Sequence, residues 1–288
     1  MIPKKIALVT DSCADLSKAL IAENNIHVIP LRISCTDGEY ADGVDITGAD
    51  VYTRLHAGEL PKTSLPTGED VERVLRKLVE EGYDGAIAIM LSSGLSGTYN
   101  LMRLCAEDVK DEIDVRVYDS KSGSLGQGMT VLQLAEDISA GMSWEELTEQ
   151  RVPFLLERSH PFFSVDTLEY LKKGGRIGKV TAAAGTLLRI KPILTFAPDG
   201  QLQTAAKVRG RGQVVDKLVE LVKAACGDHK RYNLAVANGG DPAGMALVRE
   251  KLTAALPNYG IIREGEIDAT LSVYIGDGVL GAAVQVLD

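Results

Sequence analysis

The 288-residue chain is poor in aromatic residues, with one tryptophan and four phenylalanines. Its interior must therefore be mostly aliphatic, a lining that suits a flexible hydrocarbon guest as well as an ordinary core. Cysteine is scarce too. Cys13, Cys35, Cys105 and Cys226 form no Cys-x-x-Cys pair, and His27, His56, His160 and His229 are scattered. Neither a zinc site nor a disulfide framework is expected from such spacing. Long runs of Lys or Arg are missing, and the balance of 31 basic against 40 acidic residues leaves a net charge of −9. Such a chain repels phosphate backbones and anionic lipid surfaces, so nucleic acid is not an expected partner. No uninterrupted apolar stretch is long enough to span a bilayer, and Met1-Ile2-Pro3-Lys4-Lys5 runs into a strand without a signal-like apolar core. The expectation is a soluble, cytoplasmic protein with no membrane insertion.

What remains is ordinary globular material, 45% apolar and 25% charged. The length favours two domains, because single cores stop growing near this size. Ile6 to Val9 is a short apolar run ending in Thr10-Asp11-Ser12, which reads as a buried strand and a polar loop. Helical spacing over 16–23, a strand over 26–33, an Asp37-Gly38 hairpin turn and a helix over 47–56 follow. Lys62 to Leu65, between Pro61 and Pro66, reads as a proline-fixed loop. Thr67 and Asp70 cap a helix to Glu81. Strands over 86–90 and 115–118 alternate with helices from about Tyr99 and over 125–139, and Ser143 to Glu146 is a further capping box. Alternation with a polar loop after each strand predicts a parallel, doubly wound sheet, in which ligands sit beyond the carboxyl ends of the strands.

From about His160 the texture changes. A strand over 162–165, a helical stretch to Arg189, and a hairpin over 193–208 turning at Pro198-Asp199-Gly200 are expected. Helices over 214–225 and 243–255, a strand over 234–237 and closing strands complete the chain. The predicted organisation is an N-terminal parallel α/β domain over 1–160 and a C-terminal mixed α/β domain over 161–288.

The strongest local motif is Leu91-Ser92-Ser93-Gly94-Leu95-Ser96-Gly97-Thr98. It follows a strand and opens a helix, where amide groups attract an anion and glycines allow close approach. Its hydroxyls and two glycines exceed what a serine-rich cap requires. Ser93, Gly94 and Ser96 are therefore candidates for holding a carboxylate or phosphate. Thr63 and Ser64 form a second hydroxyl pair, pre-oriented by the flanking prolines or simply part of a loop. Arg176, in Gly174-Gly175-Arg176-Ile177-Gly178-Lys179, is either an anion ligand through its planar fork or a solvated surface residue. That segment is not a P-loop, since its spacing is wrong and Val180 follows Lys179. Gly94-Leu95-Ser96-Gly97-Thr98 is not the G-x-S-x-G of serine hydrolases, and no G-x-G-x-x-G follows the first strand. The Asp11, Asp119 and Asp166 loops offer oxygens to magnesium, but aspartates also serve as caps, and no metal is assigned. Gly276-Asp277-Gly278 is a tight turn or a close backbone approach to a ligand.

Taken together and in order, several motifs resemble the DegV family. They are Thr10 to Asp15, Lys62 to Thr67, Leu91 to Tyr99, Asp119-Ser120-Lys121, Leu171 to Ile177 and Gly185 to Pro192, so the resemblance spans essentially the whole chain. It implies two α/β domains with a long-chain fatty acid in a tunnel between them, and no catalytic residue or cofactor. Some members are the fatty-acid-binding subunit of a bacterial fatty acid kinase, where a separate subunit holding ATP and magnesium phosphorylates the bound carboxylate. By motif, the carboxylate hydroxyls correspond to Thr63 or Ser64 and to Ser93 or Ser96, and Arg176 lies at the carboxylate end. Tyr274 stands where many members have a histidine tied to phosphoryl transfer, which separates lipid binding from kinase coupling in this chain.

The residues themselves agree in two respects. Uncharged donors hold a carboxylate without a salt bridge. A tail of roughly 14 methylenes gains about 0.8 kcal/mol for each one buried, near ~11 kcal/mol gross, so the tail supplies affinity and the hydroxyls orientation. Two other readings stand beside the carrier. One is an enzyme acting on a small phosphorylated or carboxylated substrate at the serine-rich loop, with a wide polar pocket near Asp11 and Asp119. The other is a lipid-sensing regulatory module.

Overall fold

The computed structural model describes residues 5–180 and 190–288. In chain order the first half runs β1 (Ile6–Asp11), α1 (Lys18–Glu23), β2 (Ile26–Ile29), β3 (Arg32–Cys35), β4 (Gly38–Ala41), α2 (Gly48–His56), β5 (Lys62–Ser64), α3 (Gly68–Glu80), β6 (Gly85–Met90), α4 (Thr98–Glu107), β7 (Asp114–Asp119) and α5 (Leu125–Ser139). A short α6 (Trp144–Glu146) passes through a π turn (Leu147–Arg151) into α7 (Val152–Glu157). The second half runs β8 (Ser159–Ser164), α8 (Glu169–Lys173), β9 (Ile190–Phe196), β10 (Leu202–Arg209), α9 (Val214–Cys226), β11 (Tyr232–Gly239), α10 (Pro242–Ala255), β12 (Ile262–Glu266), α11 (Ala269–Ile275) and β13 (Val279–Val286).

Strands β2-β1-β6-β7 form an all-parallel sheet. Its period-2 side chains divide cleanly between two faces. Ala7, Val9, Ala86, Ala88 and Met90 pack on α3 and α4 through Val71, Leu75, Leu78 and Met102. Leu8, Ile87 and Ile89 pack on α5 and α7 through Val131, Leu134 and Leu155. Helices on both faces make the sheet doubly wound, in agreement with the alternation along the chain. The expected cap of Thr67 with Asp70 is a complete capping box, at Ser143 the hydroxyl accepts the Glu146 amide without completing the box, and Thr47 with Asp50 adds a complete box beyond those expected.

Two segments of the first half differ from expectation. The single strand over 26–33 is two strands, β2 and β3, broken at Pro30, which cannot donate to a ladder. The proline-flanked loop is β5, paired with β3 in a separate antiparallel sheet of order β4-β3-β5. The prolines lie just outside the paired residues, so they delimit a strand rather than prevent one.

The third and largest sheet has six strands in the order β10-β9-β8-β13-β11-β12 and is mixed, with β12 parallel to β11. It begins at Ser159. One face, with Leu234, Val236, Leu280 and Val284, packs on Leu218, Val222, Val248 and Leu252 of α9 and α10. The closing segment is not only strands. Helix α11 intervenes, its N-terminus capped by Asp268 and its end marked by Gly276 at φ +67°. It is apolar on nearly every side and buried, which erases the one-sided periodicity that reveals a helix. The expected helical stretch to Arg189 and most of the Gly185 to Pro192 motif lie outside the described residues. No helix among the described residues is long and apolar enough to cross a membrane.

Candidate functional site

Between the two halves lies a cavity of about 300 Å³. It sits beyond the carboxyl ends of β1 and β6, on either side of which the strand order runs in opposite directions, the position expected of a ligand in such a sheet. Its mouth is formed by Thr63, Ser64 and Leu65 at the end of β5, by Ser96, and by Arg176 and Tyr274. Ser64 and Leu65 are exposed, whereas Thr63, Ser96, Arg176 and Tyr274 are half-buried. Its walls are Leu31, Leu91, Leu271, Phe163 and Phe196, and its far end is the face of β11 and β13 that turns away from α9 and α10. There Ala235 pairs with Ala283 and Ala237 with Gly281 across the strands. Four small residues in one patch leave space that larger side chains would fill in a close-packed interior.

Polar groups converge at the mouth. The hydroxyls of Thr63 and Tyr274 are 2.5 Å apart. The Arg176 guanidinium lies 5.1 Å from the centre of the Tyr274 ring, a cation–π arrangement. Arg176 donates from Nη1 to the Gly174 carbonyl at 2.7 Å and from Nε to the Leu95 carbonyl at 3.3 Å. Those bonds fix the guanidinium plane. Gly174 is required, since a Cβ there would overlap the Tyr274 ring. Ser96 accepts the Thr98 amide at 3.3 Å and pairs with the Thr98 hydroxyl at 2.8 Å, so it is tied to the first residue of α4 while lining the cavity. Among the described lining residues Arg176 is the one charged side chain. The mouth is thus a cluster of neutral donors with a single cation, and the rest is mostly hydrocarbon, with the hydroxyls of Ser124 and Thr270 as exceptions.

Thr63, Ser64, Ser96, Arg176 and Tyr274 therefore share one site. Ser93 and Gly94 do not line it. The Ser93 hydroxyl donates to Asp119 at 2.5 Å and its amide to the same carboxylate at 3.0 Å, which turns it outward. Gly94 lies so close to the Gly200 backbone that a Cβ would overlap it. Nearby, buried Ser92 donates to the Gly200 carbonyl at 2.7 Å. Ser92 and Gly94 thus dock the loop onto the β9–β10 turn, so these residues of the motif join the two halves. Asp119 is occupied by Ser93 and the Lys121 amide, and Asp166 by Lys191 and Arg211.

Sequence reasoning misses the small-residue floor and Thr270. The floor has a signature, large and small residues alternating in Leu234-Ala235-Val236-Ala237. Thr270 has none, because its helix carries no one-sided apolar period.

A second cavity, about 760 Å³ and more polar, is bounded by Asp11, Asp15, Asp42 and Asp268. None of the Ser92 to Thr98 loop lines it. Here Asp15 accepts the Asp268 amide at 2.8 Å, and Asp42 accepts the amides of Ala269 at 3.0 Å and Thr270 at 3.3 Å. These carboxylates hold the N-terminus of α11. Burial pushes Asp11 up to about 6 and Asp15 up to about 7. Burial, and then the Asp42 and Asp15 charges, raise Asp268 well above the carboxylate range. The Cys13 thiol is also raised, by burial first and then by Asp268. Donor atoms of Cys13, Asp42 and Asp268 lie within 4.8 Å of one another. Spacing along the chain gives no hint of that grouping.

Comparison with known proteins matches this architecture. The sequence model of the DegV family, described as an uncharacterised protein family, matches residues 5–286. A DegV domain-containing protein of Clostridium acetobutylicum is 37% identical over 281 residues, covering 98% of this chain and 99% of its own. The solved structure of a DegV family protein from Thermus thermophilus, described by its fatty acid binding, superposes with a TM-score of 0.92 at 32% identity, over 98% of this chain and all of that one. DegV from Bacillus subtilis, described as a fatty acid binding protein, superposes at 0.88 with 29% identity, over 99% of this chain and all of its own. A family match over nearly the full length, joined to a shared fold, establishes that this chain belongs to the DegV family.

Proposed function

We propose that this protein binds one long-chain fatty acid in the cavity between its two halves and presents the carboxylate at the mouth, without catalysing a reaction itself. The observation that carries the reading is the polarity gradient: Thr63, Ser96, Arg176 and Tyr274 at the mouth, aliphatic and aromatic walls, and an Ala/Gly floor. The fatty acid binding of the Thermus thermophilus and Bacillus subtilis proteins, which share the fold, supports it. Burying a methylene is worth about 0.8 kcal/mol, so the tail supplies most of the affinity. Hydroxyl donors and one Arg satisfy the headgroup's lone pairs, and the exposed position of Ser64 and Leu65 keeps that end accessible from outside. A cytoplasmic carrier serving a separate fatty acid kinase is the finer form of the proposal. In it a partner reaches the carboxylate at the Ser64–Arg176 rim. Tyr274, its hydroxyl held by Thr63, offers a hydrogen bond there but no imidazole.

Lipid extraction and native mass spectrometry of purified protein test the reading. One fatty acid per chain is expected. Thr63→Val and Ser96→Ala should each weaken binding of added hexadecanoic acid about 3- to 10-fold, the scale of one lost hydrogen bond to a charged group. Absence of any co-purifying acid, with no binding on addition, overturns it.

The small-substrate enzyme finds less support. None of Ser92 to Thr98 lines the polar cavity near Asp11, and the loop's Ser96 lines the apolar one.

A further inference from the structure

One polar group in the cavity is left over by the carboxylate reading. Thr270 is 2% exposed and lines the cavity, yet its hydroxyl has no hydrogen-bond partner among the described residues. A buried hydroxyl without a partner is costly, and an apolar residue of the same shape would avoid that cost. Thr270 precedes Tyr274 by four residues on α11, so the two side chains lie on one helix face about 6 Å apart along the axis. Tyr274 belongs to the mouth, which places Thr270 one turn away from it along the wall.

The surroundings decide what oxygen this hydroxyl suits. The Thr270 amide donates to the Asp42 carboxylate at 3.3 Å, and Asp268 caps the same helix end. Among the described residues no basic side chain pairs with Asp11, Asp15, Asp42 or Asp268. A ligand carboxylate at Thr270 would lie beside the Asp42 carboxylate that already accepts the Thr270 amide, an unfavourable pairing that a neutral oxygen avoids. Arg176 stands at the other end of the helix face, by Tyr274. The charged headgroup therefore belongs with Arg176, and the oxygen that suits Thr270 is neutral.

On the fatty acid reading above, we propose that Thr270 is a specificity-determining residue that hydrogen-bonds a neutral hydroxyl on the acyl chain, so that the cavity favours fatty acids hydroxylated a short distance in from the carboxylate. Thr270 donates to that hydroxyl or accepts from it, and no bond is made or broken.

Calorimetry on the delipidated full chain tests this, with hexadecanoic acid and a series of hydroxyhexadecanoic acids whose hydroxyl moves from carbon to carbon. At least one isomer near the carboxylate should bind several-fold to about tenfold more tightly than the plain acid, the scale of one hydrogen bond made to a buried unpaired group. Thr270→Val should bring the ratio of hydroxylated to plain affinity to one or below. Thr270→Ser, which keeps the oxygen, should retain the preference. The inference is overturned if hexadecanoic acid binds but no isomer exceeds it, or if the preference survives Thr270→Val. Should the valine variant fail to fold, the wild-type series alone decides. Failure of every acid to bind overturns the underlying fatty acid reading, a distinct result from binding without preference.

Discussion

The two faces of the mixed sheet use the same two strands in opposite ways. Toward α9 and α10, β11 and β13 present Leu234, Val236, Leu280 and Val284, which interdigitate with helix side chains. Toward the first half of the chain the same strands present Ala235, Ala237, Gly281 and Ala283, which pair across the ladder and leave a cavity of about 300 Å³. Backbone geometry is common to both faces, so side-chain volume alone separates a packed core from a binding site. That contrast can be broken from either side. On the open face, Ala237→Phe should weaken fatty acid binding by about a hundredfold or more, with unfolding free energy within ~1 kcal/mol of the parent, because the ring occupies space already present. A large loss of stability with binding retained would show that the floor is not where the acyl chain lies. On the packed face, Leu234→Ala should do the reverse. It should cost about 2–5 kcal/mol of stability, the range for deleting a buried leucine side chain, while binding to the folded fraction persists. Denaturant unfolding with parallel binding measurements checks both variants.

Helix α11 sharpens the same contrast along its length. One end meets neutral hydroxyls and an Arg, the other a set of carboxylates on Asp11, Asp15, Asp42 and Asp268 beside the Cys13 thiol. Asp11 and Asp15, at about 6 and about 7, hold their protons in the folded protein well above the ordinary 3.8. A raised carboxyl pKa favours the folded state below the unfolded value, and that contribution is lost as pH rises through the folded value. Their share of stability should therefore fall between about pH 4 and pH 7 and level off above it. Asp15→Asn should flatten that slope by an amount on the order of 1–2 kcal/mol, visible in denaturant midpoints at pH 5, 6, 7 and 8. An unchanged slope would mean that Asp15 does not titrate in this window.

Much of the fold is legible in the residues alone. Buried runs such as Ile87 to Met90, the capping pattern at Thr67, and the loop at Ser92 to Thr98 predict the doubly wound sheet and the region of the site. The limits are equally specific. Ser93 and Ser96 look alike in sequence. They separate because Asp119, at the end of β7, captures one hydroxyl and leaves the other facing the cavity. Pro61 and Pro66 suggest a loop, and β3 supplies the partner that makes a strand. Helix α11 is hidden because burial on nearly all sides removes the amphipathic signal. It carries Thr270, Leu271 and Ile275 of the cavity wall, and these go unseen with it, whereas Tyr274 is found through the family motif.

Propensity, capping and hydrophobic period act over a few residues, and so the chain's local chemistry sets the elements, their alternation and the family. The site has a different origin. Thr63 and Tyr274 meet across 211 positions of chain, and Ala235 finds Ala283 through sheet register. A cavity is a property of what surrounds it, and no short stretch of sequence encodes the space left when distant segments pack.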